Sequence, residues 1–420
     1  KIPGIRNVFT VKMSVFNTFR EGVAVVADSL WAAMQGKKAL KVEWDDSGFE
    51  HLSTEQLYTR MREDLKTKDG LTYRTKGNPA GVISKVEKKI DVVYETPYES
   101  HSCMEPLNCI AHYQEDKLEV WGPIQGPDWV QDFLSGLMNM PKEKIIVNMT
   151  FLGGGFGRKA FMDYPHEAAL ISKEIKAPVQ VVWTREDDTT QGPFRPGMVY
   201  RCAGSVSDGN IDAISIKLAG QNMDHQWPNA QKDNYNNSTT EGFPETYFNS
   251  LRHYSFSDIP LDVPIPVMWW RSVYSSTNAF AFESFIDELA IEAGKDPIAL
   301  RRQYFWDERY QLLADKLEEV SNWKNRKKNE GYGVAITECF SSIVGEVVKV
   351  SKQPDGKIKI DKVWAVMDCG WYVNPDIIKA QVEGSIIMAL GAAVTHETTF
   401  KDGQAVEKNF NTYQMPRINE

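Results

Sequence analysis

The residues best equipped for chemistry are Gly153-Gly154-Gly155-Phe156-Gly157-Arg158-Lys159. Glycines there let the backbone take positive φ and meet a ligand with no Cβ in the way. Free N–H groups ahead of a following helix favour a phosphate or another electron-rich acceptor. Phe156, inserted among the glycines, needs something flat to cover. A tight turn with no ligand would account for two glycines, but not for four plus an aromatic.

Two functional readings compete at this turn. Gly155-Phe156-Gly157-Arg158-Lys159-Ala160 fits the Gly-x-Gly-x-x-Gly/Ala pattern of a nicotinamide- or flavin-linked dehydrogenase. That pattern requires a ribose-binding acid about 20 residues on, at the end of the second strand. Glu186, in Thr184-Arg185-Glu186-Asp187-Asp188, comes later than that. A phosphate-loop nucleotide hydrolase is excluded, because Gly-Lys-Ser/Thr never occurs.

The whole chain narrows the classes. Its 420 residues suit about two or three domains. With 42% hydrophobic and 25% charged residues it can bury a large core. A net charge of −9 argues against nucleic acid as partner, which needs clustered Lys and Arg. No run approaches the ~18 consecutive apolar residues of a membrane helix, so no membrane span is expected in this segment. Cys103, Cys109, Cys202, Cys339 and Cys369 show no Cys-x-x-Cys spacing. Iron–sulfur chemistry is therefore expected on another polypeptide. The chain opens at Lys1 and closes at Glu420, directly after an aromatic-rich strand, and is expected to be a piece of a longer polypeptide. A targeting segment before Lys1 would be invisible, so cytoplasm and periplasm both stay open.

The elements that must position the turn follow from periodicity. Val23–Ala27 reads as a strand, Ser29 caps a helix to Lys38, and Ala39–Trp44 reads as a second strand. Ser53-Thr54-Glu55-Gln56 opens a further helix in capping-box style. This β-α-β-α opening predicts a small α/β domain ending near Lys85. Val92–Tyr94, Asn108–Tyr113 and Leu118–Trp121 read as strands, and Pro127–Leu137 as a helix. Ile145–Phe151 runs as a strand into the turn, Asp163–Lys176 is a helix, and Pro178–Trp183 returns to the sheet as one β-turn-α-β unit. Ala219–Pro266, rich in Asn, Asp, Ser, Thr and Pro, reads as an irregular surface layer. Asn278–Ala293 is an amphipathic helix ended by Gly294, and Asp296-Pro297 starts another. Ile343–Ser351 and Lys357–Asp368 form a hairpin around Pro354-Asp355-Gly356, and Asp376–Thr395 is a long helix whose small residues permit close backbone approach.

Several blocks, in order, resemble one family. They are Gly153–Lys159 with Glu167-Ala168-Ala169-Leu170, Pro178–Trp183 and Thr184–Asp187; His101-x-x-Met-Glu-Pro-x-Asn108; Trp121-x-Pro-x-Gln-x-Pro127; Trp270-Arg-Ser-Val…Asn278-Ala-Phe…Glu283-Ser-Phe-x-Asp-Glu-Leu-Ala290; and Asp368-Cys-Gly…Val373-Asn-Pro…Gln381-Val-Glu-Gly384. Together they resemble the molybdenum subunit of the xanthine oxidase and aldehyde oxidase family, and within it the isoquinoline 1-oxidoreductase β-subunit branch. The resemblance implies an α+β (mixed α/β) fold. Residues 1–85 would be a partial hammerhead-like domain, 86–255 a first molybdopterin-binding domain, and 256–420 a second one.

It also implies molybdenum held by the dithiolene of a pterin, with no protein ligand to the metal, the pterin being a cytosine dinucleotide. A small-molecule substrate would be hydroxylated with oxygen from water, and electrons would leave through [2Fe–2S] clusters on a small partner subunit. By motif position Gln125 would hydrogen-bond an oxo ligand; Gly154, Gly155, Phe156, Gly157, Arg158, Arg271, Ser272 and Val273 would contact the cofactor. Read without the family, Gln125 is a strand-end amide and Arg271 a surface side chain paired with Glu283 or Asp287. His101 and Glu105 read as a structural turn pair.

Two departures matter. The family's catalytic Glu sits in a Gly-Glu-Pro-type motif that this sequence lacks, since Gly345-Glu346-Val347 falls in a strand; the general base is therefore expected outside this chain. A non-catalytic, partner-binding role remains a reading for the piece alone. Purine-hydroxylating members carry Glu where this chain has Ala160, so an apolar N-heterocycle or an aldehyde is the expected substrate.

Overall fold

The computed structural model describes residues 2–16, 18–232, 237–327 and 330–417. The chain opens with the hairpin β1 (Ile5–Val15) and β2 (Thr18–Ala27), then α1 (Leu30–Ala39) and α2 (Thr54–Thr67). Ser29 and Ser53 cap these helices by accepting from the N–H groups of Ala32 and Gln56. No strand forms over 39–44. Residues 41–46 are exposed and have no ladder partner, so their apolar alternation has nothing to bury against.

Next come β3 (Leu71–Lys76), α3 (Pro79–Ile83), β4 (Lys89–Thr96), β5 (Asn108–Tyr113), β6 (Leu118–Gly122), α4 (Pro127–Met138), β7 (Ile145–Met149), α5 (Asp163–Ile175), β8 (Val179–Val182) and α6 (Arg185–Thr190). They are followed by β9 (Met198–Ser207), β10 (Asn210–Gly220), α7 (Glu245–Ser250), β11 (His253–Pro260), α8 (Ser275–Glu292), α9 (Pro297–Arg302) and α10 (Glu308–Ser321). The chain closes with β12 (Gly331–Cys339), β13 (Ser342–Lys352), β14 (Ile358–Asp368), α11 (Pro375–Val394) and the short pair β15 (Phe400–Lys401) and β16 (Gln404–Ala405).

Three sheets organise the fold. One has five strands in the order β3-β11-β10-β9-β4; a second has the order β7-β6-β5-β8; the third is the meander β12-β13-β14. The expected domain limits cut across the first sheet: β3 lies before residue 85 and pairs with β11, while a limit at 255 falls inside β11 itself. Ala219–Pro266 is not a surface layer. It holds α7 and β11, and β11 runs parallel to β10 from Ala213↔His253 to Gly220↔Pro260. Phe243, Tyr247, Phe248 and Phe256 from this segment share the main core with Phe282 and Phe285 of α8. The polar residues dominate its composition, but its aromatics decide its burial.

The β-turn-α-β unit also differs from expectation. β7 and β8 stand at opposite edges of the four-stranded sheet, with β6 and β5 between them. A 3₁₀ turn over Arg158–Ala160 separates the glycines from α5. A dinucleotide turn instead opens its helix directly, which this geometry does not provide.

Helix α11 is apolar and long enough, by length and composition, to cross a membrane, and 6% of its apolar window is buried. It also carries Asp376, Lys379 and Glu383. Of its expected close approaches, Gly391 meets the His396 ring, where an added Cβ would lie 2.3 Å from Cε1.

Candidate functional site

The glycine turn is held from below by one carboxylate. Glu105 Oε2 accepts from Gly153 N–H at 2.8 Å and from Lys159 Nζ at 2.5 Å, and Glu105 N–H donates back to Gly153 O at 3.2 Å. Between these anchors Gly154, Phe156 and Gly157 take φ of +93°, +51° and +100°. The same clamp leaves the N–H groups of Gly154, Gly155 and Phe156 without an acceptor among the described residues. Three consecutive unsatisfied donors suit an anionic or strongly accepting group. Crowding makes glycine necessary: a Cβ on Gly157 would lie 1.9 Å from Trp269 O, and one on Gly155 would lie 2.4 Å from Gln125 Oε1.

Gln125 is exposed at the head of α4. Its Oε1 accepts from Gly157 N–H at 3.1 Å. A backbone N–H can only donate, so the oxygen faces the turn and the amide NH₂ is left free as a donor. That is the orientation required to bond an oxo group.

Arg271, Ser272 and Val273 meet the turn from the other side. The Arg271 guanidinium lies 5.9 Å from the Phe156 ring centroid and donates to the backbone O and Oε1 of Gln381 on α11, at 2.8 and 3.1 Å. Three sequence blocks therefore converge here. Ser272 and Val273 hold φ of +65° and +52°, a strained conformation for a β-branched residue and one that clusters at binding sites. Glu283 and Asp287 are not partners of Arg271: both bond the buried Arg301, at 2.9 and 2.5 Å.

Arg158 is taken up by an internal partner. Its side chain is 1% exposed and makes a bidentate pair with Asp163 at 2.9 and 2.6 Å, while its N–H donates to Gly155 O. Burying a guanidinium requires such a partner, so the side chain turns inward to hold the start of α5 instead of reaching a ligand.

Beside the turn lies a cavity of about 480 Å³, lined by Trp129, Asp132, Phe133, Ala160, Met162, Trp227, Met268 and Trp269. Sequence reasoning singled out Ala160 but missed the tryptophans, which come from α4, the segment after β10 and the strand-like approach to α8. His101 Nε2 bonds the backbone oxygen of Trp269, one of the lining residues, at 2.8 Å. Burial pushes the ring down to about 4, so it is neutral and Nε2 carries the donated hydrogen. His166, set against Phe133 at 5.1 Å, is pushed down to about 4 by the same cause.

Residues 63–305 match a molybdopterin cofactor-binding domain, and residues 279–420 match a second domain of the same description. The isoquinoline 1-oxidoreductase subunit beta of Brevundimonas diminuta is 26% identical across 100% of this chain and 55% of its own length. The membrane-bound aldehyde dehydrogenase [pyrroloquinoline-quinone] of Gluconacetobacter polyoxogenes is 27% identical over 94% of this chain and 55% of its own. The chain thus spans about half the length of the curated relatives it matches. Among solved structures, quinoline 2-oxidoreductase from Pseudomonas putida 86 superposes with a TM-score of 0.79 at 14% identity, over 99% of this chain and 83% of that one. At that identity the likeness establishes the fold. With its first family match covering more than half of its residues, this chain belongs to the molybdopterin cofactor-binding domain family.

Proposed function

We propose that this chain is the cofactor-holding part of the large subunit of a molybdenum hydroxylase that oxidises an apolar N-heterocycle or an aldehyde. The observation that carries the reading is the row of unsatisfied N–H groups at Gly154, Gly155 and Phe156, next to the free amide of Gln125. The cofactor offers electron-rich oxygens and sulfurs that need donors and shape rather than protein ligands to the metal, and this turn offers both.

The bound cofactor would supply oxygen transfer from water and take up two electrons. In that reaction a substrate C–H and one water become C–OH, with two protons and two electrons released. The chain's own residues orient and exclude water. Gln125 NH₂ would donate to a metal oxygen, Phe156 would cover one face, and Arg271 with Ser272 and Val273 would bound the pterin. The cytosine dinucleotide form of the pterin, and a small partner subunit with [2Fe–2S] clusters receiving the electrons, complete the proposal. The nicotinamide alternative finds no support in the separated β7 and β8.

Metal analysis and pterin fluorescence on the co-expressed, full-length protein test this. About one molybdenum and one pterin per chain are expected. Protein free of both after expression with molybdate would overturn the proposal.

A further inference from the structure

Strands β5 and β8 part just before the segment that braces the glycine turn. Their ladder closes at Asn108↔Val182, and Trp183 N–H still reaches Leu107 O at 2.9 Å. Beyond that point the carbonyls of Cys103 and Met104 receive no backbone N–H among the described residues. Cys103 is 1% exposed, and a carbonyl buried there needs a donor from elsewhere.

Arg185 supplies it. A capping box between Thr184 and Asp187 fixes the head of α6, so the Arg185 side chain starts beside this gap. Its Nη2 donates to the oxygens of Cys103 and, at 3.0 Å, of Met104, while Nη1 donates to Asp188 Oδ2 at 2.6 Å. The Phe410 ring covers the guanidinium at 4.7 Å, and the Arg185 side chain is 10% exposed.

One peptide group joins this clamp to the turn. Met104 O and Glu105 N–H belong to the same planar unit. Arg185 holds its oxygen at 3.0 Å, and Gly153 O accepts from its N–H at 3.2 Å. Because the unit is rigid, fixing the oxygen fixes the direction of the N–H. The Glu105 side chain, which bonds Gly153 N–H and Lys159 Nζ, grows from the same residue.

We propose that Arg185 is a positioning residue of the cofactor site: it clamps the Met104–Glu105 peptide and so holds the glycine turn with the N–H groups of Gly154, Gly155 and Phe156 ready for an acceptor. Arginine is required, since a planar fork serves three acceptors from two nitrogens, whereas a lysine ammonium is a single point. Asp188, 3% exposed, keeps the other arm of the fork in place. What the turn takes up rests on the hydroxylase reading; how the turn is held does not.

The test is hydrogen–deuterium exchange on the full-length, co-expressed protein, with Tm, molybdenum and pterin measured on the same preparations. Arg185→Lys keeps a cation for Asp188, so Tm should stay near wild type. Exchange in segments 101–108 and 149–158 should quicken about tenfold, the effect of one lost hydrogen bond, with the rest of the protein unchanged. Pterin content should fall with it. Arg185→Gln combined with Asp188→Asn strands no charge, serves if the Lys variant does not fold, and should show the same confined change. Unchanged exchange in both segments, a change spread evenly over the protein, or wild-type pterin content despite faster exchange overturns the inference. A wild-type protein without molybdenum and pterin would instead end the hydroxylase reading, while the confined change in exchange would still uphold the clamp.

Discussion

Lys159 Nζ and Gly153 N–H donate to the same oxygen of Glu105, at 2.5 and 2.8 Å, so one side chain ties both ends of the glycine turn. Lys159 is fully buried, and Glu105 is its ion-pair partner. The motif residue that reads as part of a plain structural pair is thus the brace of a turn whose next three N–H groups have no acceptor among the described residues.

Glu105→Ala should therefore cost the protein both stability and cofactor. It strands a buried ammonium, a class of change that costs about 3–5 kcal/mol. Glu105→Gln keeps the acceptor for Gly153 N–H and should retain more pterin than the Ala variant. Burial pushes the Glu105 carboxyl up, but the Lys159 and Gly153 bonds outweigh it and hold it below its ordinary value. Its contribution is present above about pH 4.3, the unfolded value, and is lost as pH falls through the lower folded value. Thermal melts of the three proteins from pH 7 to pH 3 would show this as a shallower acid slope in the Gln variant.

Gly157→Ala should abolish cofactor uptake. The added Cβ would meet Trp269 O at 1.9 Å, and φ of +100° is unfavourable for alanine. Backbone strain alone costs about 1–3 kcal/mol, and the clash displaces Trp269 from the cavity wall. Pterin content near wild type with an unchanged melting temperature would contradict this account of the turn.

Gln125→Ala in the assembled enzyme should lower kcat on the order of 10²-fold, the usual effect of removing one preorganised donor. Pterin content should stay near wild type, because the turn's own N–H groups remain. Parallel loss of pterin and turnover would show that the side chain holds the turn rather than the reacting oxygen.

Two buried histidines make the fold acid-sensitive. His101 and His166 stand at about 4 when folded, against about 6.5 unfolded. Their stabilisation is complete above pH 6.5 and is lost as pH falls from there through 4, at most about 3 kcal/mol each. His101→Gln keeps a donor for Trp269 O and removes the titration. The melting temperature of H101Q should fall less than that of wild type between pH 6.5 and 4; equal falls would rule out His101 as a source.

Much of the site was legible in local sequence. The caps Ser29 and Asp296, the hairpin at Pro354-Asp355-Gly356 and the glycine turn depend on interactions within a few residues, which spacing and residue type specify. Ordered blocks around that turn pointed to the molybdopterin family, which the domain matches bear out. What tertiary structure alone decided was pairing over long separations. Arg301, not Arg271, takes Glu283 and Asp287, which frees Arg271 to bridge Phe156 and Gln381. Arg158 turns inward because Asp163 awaits it, and Ala219–Pro266 joins the core because β10 offers it a parallel edge. A charge or an aromatic finds its partner by proximity in space, and one sequence states the residue without stating which of many distant partners will reach it.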